Sequence, residues 1–478
     1  MTTMTLMLKT AGEIGVKSPR TRRRFLRILR DNVRVALGRA GVTAALEPGW
    51  GRMFLETADP DGARPALASV FGLHSVSDVE VLTFHGLDDL VGRAADVFRD
   101  RVEGRTFAVR ARRVGEHPFR SGDVNRALGA ALLPRSAGVN LGEPEVEVPL
   151  EIVHDRAYAV VGSTRGAGGL PVGTGGPAVA LFSGGFDSPV AAWMAMSRGI
   201  SLDLVICDLG GCAQTEGALT VARELIARWA PGVEPVAHVV DLLPVVAALT
   251  QRVDPRLRQV LLKRAMYRAG VLVAREVRAE ALVTGEALGQ ASTQTLRNLA
   301  VAEAVSPLPV LRPLVGMNKE EIVGRSRAIG THAVSERVKE YCSISTGRVE
   351  TAARMGEVER AEEALEESLI AAAVSRRRIV DLVAWRPGPL PAYVVEAVPE
   401  GAVVVDVREK DEGPDAGDLR LPFSEVGEWS ASLDREPVYL FVCSVGSRSE
   451  LVAQQLSERG YRAFCLAGGV HRLGHRAA

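Results

Sequence analysis

Ala180-Leu-Phe-Ser-Gly-Gly-Phe-Asp-Ser-Pro189 closes an apolar run and then sets two glycines, an aspartate and two hydroxyls where a helix begins. A glycine-rich turn from strand to helix lets backbone N–H groups approach an anion, and the positive end of the helix dipole adds to the attraction. The stretch therefore reads as an anion cradle or as an ordinary strand-to-helix corner. Around it, short apolar runs alternate with helical ones: strands Ala178–Phe182, Leu202–Cys207, Pro235–Asp241 and Ala281–Thr284, and helices Pro189–Arg198, Thr215–Trp229 and Pro255–Val277. That alternation predicts a doubly wound parallel sheet with its ligand at the C-terminal strand ends, where Ser183 falls.

Two other cradles are excluded. No Gly-x-x-x-x-Gly-Lys-Ser/Thr occurs in the chain, so there is no Walker loop. The near dinucleotide match Gly173-Thr-Gly-Gly-Pro-Ala178 precedes its strand instead of following it, and reads as loop. What remains, Ser183-Gly-Gly-Phe-Asp-Ser188, resembles the pyrophosphate loop of ATP-dependent enzymes that adenylylate a carbonyl oxygen.

The chain has 478 residues, too many for one core, and ordinary domain sizes predict roughly three domains. At the start, strand Thr3–Leu8, helix Arg20–Gly41 and strand Arg52–Glu56 make a small α+β unit, 1–60. A second α/β unit, 61–165, carries helices Leu87–Val102 and Asp123–Leu133 and strands Thr106–Arg112, Glu145–His154 and Ala157–Ser163. The parallel-sheet domain spans 172–375, with an acidic helical segment Val349–Leu369. Ser375-Arg-Arg-Arg378 and Arg386-Pro-Gly-Pro-Leu-Pro391 read as a linker to a last α/β unit, 392–478, with strands Ala402–Asp406, Val438–Val442 and Tyr461–Cys465.

Composition is that of a folded protein, 47% hydrophobic and 24% charged. No run approaches the roughly twenty apolar residues of a membrane span, which predicts a cytoplasmic protein. Five cysteines without Cys-x-x-Cys spacing argue against a disulfide framework, a zinc knuckle or a sulfide cluster. Net charge is zero, but Lys17, Arg20, Arg22, Arg23, Arg24, Arg27, Arg30, Arg34 and Arg39 face Asp31 alone, and Arg105, Arg110, Arg112, Arg113, Arg120 and Arg126 follow. Each cluster reads as a phosphate-neutralising patch or as a solvated helix face.

Several segments in order then resemble one family: Gly12-Glu-Ile-Gly-Val-Lys17, Phe107-Ala-Val-Arg-Ala-Arg-Arg113 with His117-Pro-Phe119, Gly168-Gly-Leu-Pro-Val-Gly173, Leu282-Val-Thr-Gly-Glu-Ala-Leu-Gly-Gln290 with Gln294-Thr295, Leu311-Arg-Pro-Leu-Val-Gly-Met-Asn-Lys-Glu320, and Glu340-Tyr-Cys342. Together with the Ser183 loop they resemble the bacterial tRNA 4-thiouridine synthetases (tRNA sulfurtransferases, the ThiI family), in the longer form with a C-terminal rhodanese-like domain. The resemblance implies a ferredoxin-like domain, a THUMP domain that holds tRNA, a pyrophosphatase-loop domain and the rhodanese. It further implies ATP-dependent conversion of the uridine at tRNA position eight to 4-thiouridine, with Mg²⁺ and with sulfur from a cysteine desulfurase.

Oxygen at uridine C4 leaves poorly, so ATP must make it an adenylate ester, and Ser183, Gly184, Gly185 and Ser188 can donate to the departing pyrophosphate. Asp187 reads as holding Mg²⁺ or orienting ATP, or as a helix cap. By resemblance Leu181 and Phe182 flank the adenine, Ile206 and Cys207 approach ATP, and Lys263, Gly285 and Gln294 line the nucleotide. Lys319 reads as a neutraliser of transition-state charge or as a solvated lysine.

Phe441-Val-Cys-Ser-Val-Gly-Ser-Arg-Ser449 sets a cysteine after a strand, with Gly446 and Arg448 close by and a helix following. Such a loop aims N–H groups at one sulfur, and Arg448 would lower the thiol pKa and stabilise a persulfide on Cys443; the other reading is a buried structural cysteine. With Asp406-Val-Arg-Glu409 the stretch resembles a rhodanese active loop, although Asp415-Ala-Gly-Asp-Leu-Arg420 stands where that fold has Gly-His-Ile-x-Gly-Ala. The resemblance gives Cys342 a transient disulfide with Cys443 after sulfur leaves. Cys207, Cys212 and Cys465 read as structural. A relay that hands persulfide sulfur to a ThiS-like carrier for thiamine synthesis is the alternative function, and an intact ATP loop favours the enzyme. The missing Cys-x-x-Cys pairs speak against a 2-thiolating enzyme.

Overall fold

In the computed structural model the described residues are 3–49, 51–209, 211–338, 349–410, 412–444 and 446–473. They form two compact units that divide between Thr174 and Gly175.

The first unit is built on one eight-stranded sheet: β1 (Met4–Thr10), β2 (Ala44–Gly49), β3 (Arg52–Thr57), β4 (Leu73–Thr83), β5 (Thr106–Val114), β6 (Gly138–Val139), β7 (Val146–Val153) and β8 (Arg156–Arg165), in the order β2-β3-β1-β4-β8-β7-β5-β6. The helix Pro19–Arg39 starts on Ser18, whose hydroxyl accepts the Thr21 N–H, with proline at its first position. It buries Phe25, Leu29, Val33 and Leu37 on one face, at helical spacing, against Leu6, Leu8, Met53 and Leu55 of the sheet. The boundary expected at 60/61 is not a break. Ala63, Leu67, Val70, Leu73 and Val76 belong to that same core, and β4 pairs with β1 on one side and β8 on the other. An eleven-residue strand serves both halves because its two edges carry both ladders.

The second unit opens with the expected doubly wound sheet. Its strands are β9 (Pro177–Leu181), β10 (Ser201–Asp208), β11 (Val236–Asp241), β12 (Leu282–Val283), β13 (Val310–Leu311) and β14 (Arg378–Asp381), in the order β13-β12-β9-β10-β11-β14. The first five are parallel. After β11 the chain crosses to the other side of β9, so the strand order reverses there, and the turn after β9 is the Ser183 loop. A crevice forms where the order reverses. The residues read as the start of a linker, Ser375 to Arg378, instead lead into β14, which pairs antiparallel with β11 and extends this sheet to Asp381. The preceding helices Met355–Glu362 and Glu367–Ser375 bury Val358, Ile370 and Val374 in the same core.

A third, five-stranded sheet of β15 (Val394–Val395), β16 (Val403–Asp406), β17 (Leu419–Arg420), β18 (Val438–Val442) and β19 (Arg462–Leu466) is parallel throughout, in the order β15-β19-β18-β16-β17. The helix Ser447–Glu458 packs on β18 and β19. No helix among the described residues is long and apolar enough to cross a membrane.

Candidate active site

The Ser183 loop connects β9 to the helix Asp187–Met196. The N–H groups of Ser183 and Gly184 converge on one point, Ser188 Oγ, at 3.1 and 3.2 Å. Gly184 takes φ +81°, and a Cβ there would lie 2.6 Å from the Ala218 Cα of the helix Cys212–Trp229. Only glycine combines that dihedral with that approach. Ser188 Oγ takes both N–H groups just ahead of the helix, at the point where an anion oxygen would have to replace it for the loop to act as a cradle.

Asp187 is the first residue of its helix and buried, and it is not a cap, since the preceding Phe186 makes no side-chain cap bond and both Asp187 oxygens point elsewhere. Lys319 Nζ lies 2.8 Å from Oδ1, and Gln290 Nε2 donates to Oδ2 at 2.6 Å. The Lys319 ammonium also sits 5.7 Å from the Phe186 ring centroid. Lys319 opens the helix Lys319–Ile329, whose Asn318 and Glu321 cap each other reciprocally, so a well-terminated helix delivers the partly exposed lysine to Asp187. Gln290 was quoted in the sequence only as part of a motif; its role emerges from the fold.

Gly285 lies against this turn: a Cβ would come 2.8 Å from the Ser188 nitrogen. Phe182 is buried, so the flanking position expected for it offers backbone rather than ring, and its N–H is held by the Val205 carbonyl at 2.8 Å. Leu181 is half-buried against the core. Ile206 and Cys207 follow Val205 on β10 and so lie beside the Ser183 turn, Ile206 buried and Cys207 partly exposed. Gln294 is committed to its own loop, where its side-chain oxygen accepts the Ala287 N–H at 3.3 Å.

Lys263 points to a group the sequence reading did not single out. Its Nζ lies 2.7 Å from Glu286, which also accepts from Tyr267 at 2.5 Å, Arg312 at 3.0 Å and Thr284 at 3.1 Å. Burial opposes ionisation of Glu286, but Lys263, Tyr267 and Arg312 outweigh it and hold the carboxyl down at about 2. The only sequence signal was Glu286 itself, inside the quoted Thr284-Gly-Glu286.

In the third sheet Cys443 directly follows β18, fully buried, and its Sγ accepts from the Gly446 N–H at 3.0 Å and the Ser449 hydroxyl at 3.5 Å. Arg448, expected to stabilise the thiolate, is turned to Glu412 at 2.5 Å and Glu409 at 3.9 Å, so two carboxylates share the charge intended for sulfur. Asp406 is structural: Arg408 and the Ala416 N–H satisfy its buried carboxylate. Cys342 lies outside the described residues.

Residues 173–367 match the model of the thiamine biosynthesis protein ThiI, 5–77 the ThiI ferredoxin-like domain, and 85–161 the THUMP domain. A tRNA sulfurtransferase of Desulfurococcus amylolyticus is 38% identical, covering 98% of both chains. The chain belongs to the tRNA sulfurtransferase (ThiI) family. A member from Marinobacter nauticus is 34% identical over 96% of this chain and 98% of its own. A crystal structure of a 4-thiouridine synthetase in complex with RNA and bound ATP superposes with a TM-score of 0.68 at 28% identity, covering 79% of this chain and 99% of that one. The family match places the Ser183 loop, Asp187, Lys263, Glu286 and Lys319 within the ThiI segment and the Arg-rich helix Pro19–Arg39 within the ferredoxin-like one.

Proposed function

We propose that this chain thiolates tRNA, converting the uridine at position eight to 4-thiouridine at the expense of ATP, with sulfur carried as a persulfide on Cys443. The observation that carries the reading is the convergence of the Ser183 and Gly184 N–H groups on one point beside the Asp187–Lys319 pair, at the reversal of a parallel sheet.

These residues fit ATP. The cradle suits a phosphate chain, the partly exposed Lys319 adds positive charge, and Lys263 lies at the edge of the same strand ends. ATP supplies activation of a carbonyl oxygen as a leaving group. The loop N–H groups hold pyrophosphate as charge builds on it, and Lys319, oriented by Asp187, neutralises that charge. Asp187 thus acts through Lys319 and Gln290 in this arrangement. Among the described residues no group of three or more His, Cys, Asp or Glu side chains could hold a metal by itself; a Mg²⁺ bound together with the phosphates would be held by Asp187 and the phosphate oxygens.

The last domain, 392–478, is rhodanese-like in this reading, which its five parallel strands and the donors aimed at Cys443 Sγ support. Cys443 receives sulfur from a cysteine desulfurase as a persulfide; that sulfur replaces the adenylated oxygen of the uridine with loss of AMP, Cys342 closes a disulfide on Cys443, and an external thiol reductant returns both cysteines to thiols. The first domain is ferredoxin-like, the second a THUMP domain, and their arginines hold tRNA phosphates in a cytoplasmic setting. The reading is tested by incubating unmodified tRNA, Mg-ATP, cysteine, a desulfurase and reductant with the chain and following 4-thiouridine absorbance in the near ultraviolet. Product that needs both ATP and Cys443 is expected. Asp187→Ala should abolish product while Cys443 still accepts sulfur, seen by persulfide labelling. Sulfur loading with no thiolated tRNA in the unaltered chain would replace the enzyme with a relay to a ThiS-like carrier.

A further inference from the structure

The helix Cys212–Trp229 borders two functional segments, the cradle and the thiol domain, within its first two turns. Its Ala218 is the backbone against which Gly184 of the cradle packs. Its Gly217 faces Val338, whose Cγ2 would lie 3.1 Å from a Cβ at that position, and Val338 stands four residues before Cys342. At its first residue the Cys212 N–H donates to both oxygens of Glu450, at 2.8 and 3.0 Å. Glu450 belongs to the helix that follows the Cys443 loop, so this contact crosses from the domain of the cradle to the domain of the thiol.

The contact is shaped for its partner. Glu450 is 8% exposed, and its carboxylate at the N-terminus of an eighteen-residue helix meets the orphan Cys212 N–H at the positive end of the dipole. Gly211 takes φ +79°, and any Cβ there would run into the Glu450 carboxylate. The Cys212 side chain packs against the apolar core that holds Cys443 and Cys465. Burial and the neighbouring Glu450 carboxylate push the Cys212 thiol up, so it stays protonated and serves the seam rather than attacking sulfur.

We propose that Glu450 is a positioning residue that seats the persulfide-bearing domain on the ATP-binding domain by capping the Cys212 helix, so that one helix carries the cradle and the thiol domain together. The proposal rests on the functional reading above. It is tested in the full chain with Glu450→Ala and Glu450→Gln, the amide keeping size and one acceptor oxygen. Amide hydrogen exchange in the first turn of the Cys212 helix should accelerate by about tenfold in Glu450→Ala, the factor one charge-assisted hydrogen bond carries, and by less in Glu450→Gln. Persulfide loading of Cys443 and tRNA-dependent pyrophosphate release should stay unchanged, while 4-thiouridine formation falls by a similar factor. Unchanged exchange in both variants overturns the contact. Loss of loading in step with loss of thiolation also overturns the proposal, because Glu450 would then serve only the Cys443 loop. If the unaltered chain makes no 4-thiouridine, the functional reading fails, and the exchange rates still decide the contact.

Discussion

Glu286 is the residue on which the most charge depends. Four donors, two of them cationic, converge on one buried carboxylate, and the carboxyl ionises at about 2 against an ordinary 4.5. A depressed pKa contributes stability above the ordinary value and loses it as pH falls toward the folded one, so the window here is pH 4.5 to 2. The whole contribution is about 3 kcal/mol. Glu286→Gln should therefore lower stability by about that amount at pH 6, and the gap to the unaltered chain should close by about 2 kcal/mol by pH 3, measured by urea unfolding. A gap independent of pH would mean that shape and not charge holds Lys263 and Arg312 together. Little of this was legible in the chain: Lys263 and Tyr267 share the helix Pro255–Glu276, but Glu286 and Arg312 stand on other segments, and a carboxylate reads as solvated until its neighbours are known.

At the level of elements, the cradle depends on how closely a loop meets a helix. Gly184→Ala would impose a left-handed dihedral on a residue with a Cβ and press that Cβ on the Ala218 backbone, for about 2–4 kcal/mol. We expect a lower denaturation midpoint together with loss of ATP binding by calorimetry. Unaltered nucleotide affinity would show that the loop can withdraw from the Cys212 helix without losing its donors. The strand and helix periods of the parallel sheet were readable, and the helix Leu87–Val102 and strand Val438–Val442 were placed to the residue. Missed were the two-residue strands β6, β13, β15 and β17, and also β2, β4 and β14. Of the last three, two end in glycine or begin among arginines, and β4 carries Ser75, Ser77 and Asp78 between its apolar residues. Their apolar content is too sparse for a period, and pairing with neighbours specifies them instead.

For the whole molecule, net charge is zero, yet Arg20, Arg23, Arg24, Arg27 and Arg30, with Arg52 from β3, line one cavity of about 770 Å³ in the first unit. Not all the clustered arginines are available to a ligand: Arg34 pairs with Asp31, Arg24 donates to the Thr174 carbonyl, and Arg110 to that of Leu141. Replacing Arg27 and Arg30 with alanine should weaken tRNA binding and reduce its salt slope by roughly 1 to 2. An unchanged slope would assign those side chains to solvent. The sequence by itself determined the order of the elements, the doubly wound sheet, the family and the loops at Ser183 and Cys443, because glycine spacing and hydrophobic period are local properties of the chain. Only the tertiary structure decided that one sheet joins the first two domains, that Asp187 is spent on Lys319 and Gln290, that Glu412 and Glu409 draw Arg448 aside, and that Glu450 caps the Cys212 helix. Each of these is a choice of partner across a long stretch of chain. Such choices depend on which charged and hydrogen-bonding groups burial brings together, and the sequence lists the groups without their distances.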